Sequence, residues 1–211
     1  MNGRDKNALS AVLSELDGEG HQIYDADLSN PQDAEKVARD VSANMGALSG
    51  LVHSAGISEM SLLRDMEYAK IEAMFRIHYL AFLALAKTAC RRACRAETMS
   101  VVVISSYAAL EPEPGISAYA GIKSAVNASV KSLAKEYAGK KIRFNAVCPH
   151  HVDTPMMRKL SGILGKELYE ERIKNEMSNG LISPEEVADS VLFLLSDESV
   201  KISGAILPIR G

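Results

Sequence analysis

Residues 100–106 read Ser-Val-Val-Val-Ile-Ser-Ser, four β-branched apolar residues in a row between serines. A run apolar at every position and too short for a helix marks a strand covered on both faces, the usual condition of a parallel sheet. On its N-terminal side, about Glu67 to Ala96 reads as a long helix, apolar on more than one face. On its C-terminal side, Ala118, Ile122, Val126, Val130, Leu133 and Tyr137 recur every three or four residues, a second long helix. Further out the alternation continues. Leu9, Val12, Leu13 and Leu16 follow Asp5, a possible N-cap, and HQIYDADL (21–28) is β-like. Ser29-Asn30-Pro31 starts a helix lined by Ala34, Val37, Ala38, Val41 and Met45, with Gly46 as its cap. LSGLVHSAG (48–56) and IRFNAVCP (142–149) read as strands. Ser183-Pro184-Glu185-Glu186 is a capping box that opens the last helix, and ISGAILPI (202–209) is the last strand. Strands alternating with helices imply right-handed crossovers and one α/β domain, 1–211, with a doubly wound, mostly parallel sheet.

The 211 residues carry 24 Lys+Arg against 27 Asp+Glu, a net charge of −3, with 47% hydrophobic and 24% charged residues, the composition of an ordinary globular chain. No basic run interleaved with aromatics suggests a nucleic-acid partner. The densest apolar stretch, Leu80–Ala86, falls far short of the ~18 residues of a membrane span. Three cysteines, Cys90, Cys94 and Cys148, are an odd and small set that suits a reducing compartment, so a cytoplasmic location is expected.

Ligands of doubly wound sheets sit beyond the carboxyl ends of the strands. The polar residues there are Asp27, His53-Ser54-Ala55-Gly56, Ser105-Ser106 and the loop from Pro149 to Thr154. Close by is Tyr119-Ala-Gly-Ile-Lys123, whose four-residue step puts Tyr and Lys on one helix face with Cβ atoms ~5–6 Å apart. The spacing alone is weak: Tyr137 and Lys141 repeat it, and Ser124 precedes Tyr137 by the interval that separates Ser106 from Tyr119. Context separates them, because Ser106 ends a strand at the crevice while Ser124 lies inside a helix.

With DADL (25–28), HSAG (53–56), VVVISS (101–106), YAGIK (119–123), IRFNAVCPHHVDTPM (142–156) and the terminal SGAILPIRG in this order, the chain resembles the short-chain dehydrogenase/reductase family over roughly residues 3 to 211. Its layout is most like the 3-oxoacyl-carrier-protein reductase type. The resemblance implies a Rossmann-like fold and hydride transfer between NADP(H) or NAD(H) and a small carbonyl/alcohol substrate. It makes Tyr119 the general acid or base, with Ser106 binding the substrate oxygen. Lys123 would hold the nicotinamide ribose and lower the Tyr119 pKa, an expected shift from about 10 to about 7 that one ammonium ~4 Å away could supply.

The resemblance also implies cofactor contacts from Asp27 and Leu28, from Ser54, Ala55 and Gly56, and from Pro149, Val152 and Thr154. Arg4 resembles the basic residue that takes a 2′-phosphate, which favours NADP(H) over NAD(H); an exposed surface arginine reads the same. Met156, Met157, Leu160, Ile163, Leu164, Leu168 and Tyr169 resemble a lid over an apolar substrate, or plain core packing. A homodimer or homotetramer is expected through the broad apolar faces of the 67–96 and 118–138 helices.

Three departures qualify the resemblance. Met1–Arg4 already corresponds to the end of the family's second strand, so the first strand, the TGxxxGxG turn and its helix, a unit of ~30 residues, are missing. Cofactor binding is in doubt without that phosphate cradle. HQIYDA would lose its usual neighbour, and the strand at 48–53 would bare a long apolar edge. A shortened version of a longer protein is one explanation; re-pairing of HQIYDA and dimerisation are others. Second, His78 stands where the family has an Asn that relays protons to the lysine, and an imidazole can do the same or serve only as a helix residue. Third, His150 replaces the glycine after Pro149 and would narrow the nicotinamide or substrate mouth. The alternative reading is a non-catalytic relative that acts by self-association or partner binding, with a degenerate cofactor site. No metal site is expected, since neither the Cys90/Cys94 pair nor His150-His151 supplies a four-ligand zinc spacing, and no G-x-S-x-G hydrolase elbow exists.

Overall fold

A computed structural model describes residues 1–155, 157, 158, 171, 173, 176, 177 and 180–211. The central strand is β4 (Arg95–Ile104), whose Val101, Val102 and Val103 are almost fully buried, as their unbroken apolar run requires. It lies between β3 (Leu48–His53) and β5 (Ile142–Pro149), and β6 (Ile206–Ile209) completes a four-stranded parallel sheet ordered β3-β4-β5-β6. The register pairs His53 with Val103, Ile104 with Val147 and Pro149 with Ile209, so the strands end together at one rim.

Helices cover both faces. The first, α1 (Lys6–Glu15), is capped by Asp5, whose carboxylate accepts from the Asn7 and Ala8 amides; α2 (Pro31–Met45) is capped by Asn30 with Pro31 in the first turn. Next come α3 (Tyr68–Phe75), a π-helical turn (Arg76–Leu80) and α4 (Ala81–Ala89) as one continuous rod. Then α5 (Ser117–Glu136) follows β4, and α6 (Pro184–Leu195) starts at the Ser183–Glu186 capping box. Phe82, Val101, Val126, Val130 and Phe144 centre the main core; Val102, Val147, Val191 and Leu194 form the core of the other face. Each fully buried side chain of this size contributes roughly 1.5–3 kcal/mol.

Polar links tie β5 to the C-terminal elements. The Arg143 guanidinium donates to the carbonyls of Leu194 at 2.8 Å and Ser196 at 3.1 Å, closing the end of α6. The fully buried Asn145 donates to Ile202 O and accepts from Ala205 N, both at 3.0 Å. Ser100 Oγ reaches Leu194 O at 2.7 Å from the neighbouring strand.

Three expectations are corrected. The helix expected to reach Ala96 ends at Ala89, and Arg95–Met99 already belong to β4. Cys90 and Cys94 flank a turn there and are buried free thiols. The Cys94 carbonyl is claimed by Leu48 N at 2.9 Å and Ser42 Oγ at 3.0 Å, tertiary bonds that outweigh local helix propensity. Of the eight residues in HQIYDADL, only Tyr24–Asp25 form strand, as β2. Nor is β2 left without its neighbour: it pairs in parallel with β1 (Asn2–Gly3) in a separate two-stranded sheet, held by Tyr24 N to Met1 O at 2.9 Å and Ala26 N to Gly3 O at 3.1 Å. The bared edge of β3 is present: among the described residues no strand pairs with its outer side, and Val52 is 42% exposed. No helix of the described residues is long and apolar enough to cross a membrane.

Candidate active site

The parallel register delivers Ser54–Gly56, Ser105-Ser106 and the loop after Pro149 to one rim, and the first turn of α5 brings Tyr119 and Lys123 to it. The Ser106 side chain stands close enough to the Tyr119 phenol to lower its pKa. Ser106 is itself fixed as the cap of the 3-10 turn Tyr107–Ala109, where Oγ accepts from Ala108 N at 3.2 Å. Lys123 Nζ lies 5.7 Å from the Tyr119 ring centroid and donates to the Ile104 carbonyl at 2.8 Å. Ser106, Tyr119 and Lys123 are therefore brought together.

Electrostatics at the trio differ from expectation. Burial raises the Tyr119 pKa above the ordinary phenol value, and the Ser106 side chain only partly opposes it. Burial also pushes Lys123 down to about 7. An amine whose own charge is this costly, and which points at a backbone carbonyl, does not make the phenol acidic. The phenol is protonated at neutral pH.

His78 joins the cluster through the π-helical turn, a distortion that recurs at functional sites. The extra residue in the turn swings the imidazole inward, edge-on to Tyr119 at 5.6 Å between centroids and 81° between planes. His78 Nε2 lies 2.6 Å from the Ile57 carbonyl and 3.2 Å from the Ile57 amide, so both backbone groups of Ile57 tether the ring. Nδ1 is buried and without a hydrogen-bond partner among the described residues. Burial, with Lys123 nearby, pushes His78 down to about 3; the same two causes push His53 to about 4. His53 is one of the polar strand-end residues that the sequence places at this rim. Its Nε2 donates to Ile77 O at 3.0 Å, and the ring is buried at the end of β3.

Gly56 is explained by this packing. A Cβ at position 56 would sit 2.2 Å from His78 Cε1, and the ring is tethered to Ile57. Gly56→Ala is expected to destabilise the chain by about 1–3 kcal/mol, read as a lowered urea midpoint. The double variant Gly56→Ala/His78→Ala should recover most of that loss; a purely additive pair would contradict the packing account.

The remaining sequence candidates are more dispersed. Arg4 and Asp27 are exposed and close enough to interact, at the ends of β1 and β2. The Ser29 backbone amide, its side chain and Arg4 hold the Asp27 carboxyl below the usual range. Leu28 places its side chain in the main core with Ala34, so that side chain does not face the rim. Pro149 is buried at the end of β5, and Val152 forms an isolated bridge with Ile182. Thr154 Oγ1 bonds Val152 O at 3.3 Å and accepts from Met157 N at 3.4 Å. Met156, Leu160, Ile163, Leu164, Leu168 and Tyr169 of the expected lid lie outside the described residues. A cavity of about 220 Å³ is lined by Met60, Met66, Ile71, Met74 and Ala118 together with the polar Glu59, Ser61, Asp65, Glu67 and Lys70, and none of the trio lines it.

The residues fit a nicotinamide cofactor at its reactive end. Small residues at 54–56 leave the backbone approachable, and a buried amine and hydroxyl pair stand at the strand rim. The 211 residues contain no TGxxxGxG turn for a pyrophosphate.

Comparison with known proteins agrees with this arrangement. A family model described as "Enoyl-(Acyl carrier protein) reductase" matches residues 1–211. An uncharacterized oxidoreductase, YmfI of Bacillus subtilis, is 32% identical over 207 residues, 96% of this chain and 81% of the relative. The 3-oxoacyl-[acyl-carrier-protein] reductase FabG of Thermotoga maritima is 30% identical over 209 residues, 98% of this chain and 83% of that enzyme. Among solved structures, the aldohexose dehydrogenase of Thermoplasma acidophilum superposes with a TM-score of 0.83 at 29% identity, covering 92% of this chain and 78% of that one. These matches do not favour a non-catalytic reading. A parallel α/β sheet with Ser106, Tyr119 and Lys123 converging at its carboxyl rim, matched along its length by oxidoreductases, makes the chain a member of the short-chain dehydrogenase/reductase family of NAD(P)-dependent enzymes.

Proposed function

We propose that the chain reduces the keto group of a 3-oxoacyl thioester, with NADP(H) preferred over NAD(H). The observation that carries this is the convergence of Ser106 and the Tyr119 phenol, with Lys123 one helical turn along. NADP(H), when bound, supplies the hydride. The Ser106 hydroxyl holds the substrate oxygen, and the Tyr119 phenol gives it a proton. A phenol held above its ordinary pKa is in the protonated form that reduction requires. Lys123 Nζ holds the nicotinamide ribose, and His78 Nδ1 accepts the hydrogen bond of a water that returns the proton toward Lys123. Ser54, Ala55 and Gly56 admit the adenosine half to the backbone. Asp27 contacts the adenine, and Pro149, Val152 and Thr154 contact the carboxamide side.

Met60, Met66 and Met74, which share the cavity at Ala118 with several charged residues, support an apolar acyl chain as the variable part of the substrate. Leu63 and Tyr68, 83% and 82% exposed, support a homodimer or homotetramer in the cytoplasm built on the α3–α5 side. The direct test is steady-state reduction of a 3-oxoacyl thioester with each cofactor. No turnover with either would overturn the proposal.

Arg4 supports the NADP(H) preference, as its planar guanidinium suits a 2′-phosphate and stands beside Asp27. Arg4→Glu should lower the NADPH-to-NADH ratio of kcat/KM by about tenfold or more, a loss of roughly 1.4 kcal/mol. An unchanged ratio would remove Arg4 from the site.

A further inference from the structure

We infer that His150, His151 and Glu176 form a binding site for one Zn2+-type divalent cation beside the loop that follows β5. Their ligand atoms all lie within 4.8 Å of one another. Both imidazoles turn Nε2 to the same carboxylate oxygen, Glu176 Oε2, at 3.9 Å from His150 and 2.8 Å from His151. Consecutive side chains in extended backbone point to opposite sides. Here the chain bends after Pro149, and the two rings stack at 4.1 Å between centroids and 28° between planes. Both rings thereby present Nε2 on the same side, toward one carboxylate oxygen.

The geometry is close to what zinc demands. Tetrahedral ligands at ~2.0–2.1 Å from the metal lie about 3.4 Å apart, and the two measured nitrogen–oxygen separations bracket that distance. Two imidazoles and a carboxylate are donors that select Zn2+ over Mg2+ or Ca2+. The histidine side chains are 11% and 13% exposed, so the ligands are already ordered and partly shielded. The other face of His150 is occupied, with Nδ1 at 2.8 Å from Met177 Sδ and the Tyr107 ring edge-on at 4.7 Å. That leaves Nε2 as the coordinating nitrogen. Glu111 adds negative potential near His150, while Arg210, 4.8 Å over the Tyr107 ring, opposes it.

Three protein ligands leave a fourth position for water or a substrate oxygen. The bound ion would fasten the 149–154 loop to the Glu176–Met177 segment. The same stretch is already joined by Ile182 N to His151 O at 3.0 Å and Asp153 N to Ile182 O at 2.9 Å. The cation is therefore a clamp on the rim, separate from the proton-transfer trio. Neither half of the motif identifies the site alone, because Glu176 is 25 residues from His151.

The test uses the purified 211-residue chain, stripped with a chelator and titrated with ZnCl2 against a chromogenic zinc chelator. Co2+ titration gives a second readout, the intense visible absorption of a four-coordinate site. One equivalent of saturable binding is expected, weakened by about 100-fold or more in His151→Gln and in Glu176→Gln. Retention of binding in Cys90→Ser/Cys94→Ser would exclude that pair of thiols and support the site. Glu176→Gln, the more exposed and shape-conserving change, decides the matter if His151→Gln does not fold by circular dichroism. Absence of saturable binding, equal affinity in the two ligand variants and the parent, or loss in the cysteine variant would each overturn the inference.

Discussion

Tyr119→Phe is expected to lower kcat/KM for carbonyl reduction by about 10³-fold, roughly 4 kcal/mol of barrier, while leaving the fold and cofactor affinity close to those of the parent. The variant removes one oxygen and little else. The ring keeps its edge contact with His78 and its place over Lys123, and the polar contact deleted is the one to Ser106. No other described side chain at this rim offers a proton of suitable acidity to a bound carbonyl oxygen. His78 and His53 are held neutral far below pH 7, and Lys123 is turned to Ile104 O. Parallel measurements of turnover and of nicotinamide fluorescence on binding separate the two effects. Turnover within tenfold of the parent would remove Tyr119 from the acid role.

The second large effect is on stability. Lowering the pH from 7 to 5 is expected to cost the folded chain about 4 kcal/mol through His53 and His78 alone. Both are buried neutral, with folded-state pKa values of about 4 and about 3 against 6.5 when unfolded. The unfolded chain takes up a proton at each as pH falls through 6.5, whereas the folded chain does not. Their contribution is thus fully present above pH 6.5 and is lost progressively until the folded-state values are reached. Each unit of pH in that window removes about 1.4 kcal/mol per histidine. Against a total of about 5–15 kcal/mol this is a large share. Urea midpoints measured from pH 7 to pH 5 should fall by about 2 M for a slope near 2 kcal/mol/M. His53→Gln/His78→Gln should flatten the dependence, and an equally steep fall in that variant would assign it to other groups.

The sheet was legible because its signal is local and redundant. The apolar run at 101–104, the caps at Asp5, Asn30 and Ser183, and the periodicity from Ala118 onward each follow from nearest-neighbour chemistry, and each element stands where they indicated. What failed was decided at a distance. Residues Cys90–Ala96 have good helix propensity, yet the Cys94 carbonyl is needed by Leu48 and Ser42, some fifty positions away. In the site, the Tyr119–Lys123 step could be read because one helical turn fixes it. The consequence drawn from that step, an acidified phenol, could not, since it depended on where the amine points and how dry its surroundings are. The π-helical turn that aims His78 inward is one added residue in a helix and leaves no mark in composition. Glu176 meeting His151 is a contact across 25 positions of sequence.

Arg143 has a consequence for how motion is distributed through the chain. Its guanidinium, a strand side chain, holds the last carbonyls of α6, while Asn145 on the same strand holds the turn before β6. The C-terminal helix and strand therefore cannot fray independently, because their closing bonds belong to the sheet's interior. Amide protons of Leu194–Ser196 should exchange with solvent deuterium only when β5 itself opens, so that the end of the chain, ordinarily the first part to loosen, reports the free energy of the whole.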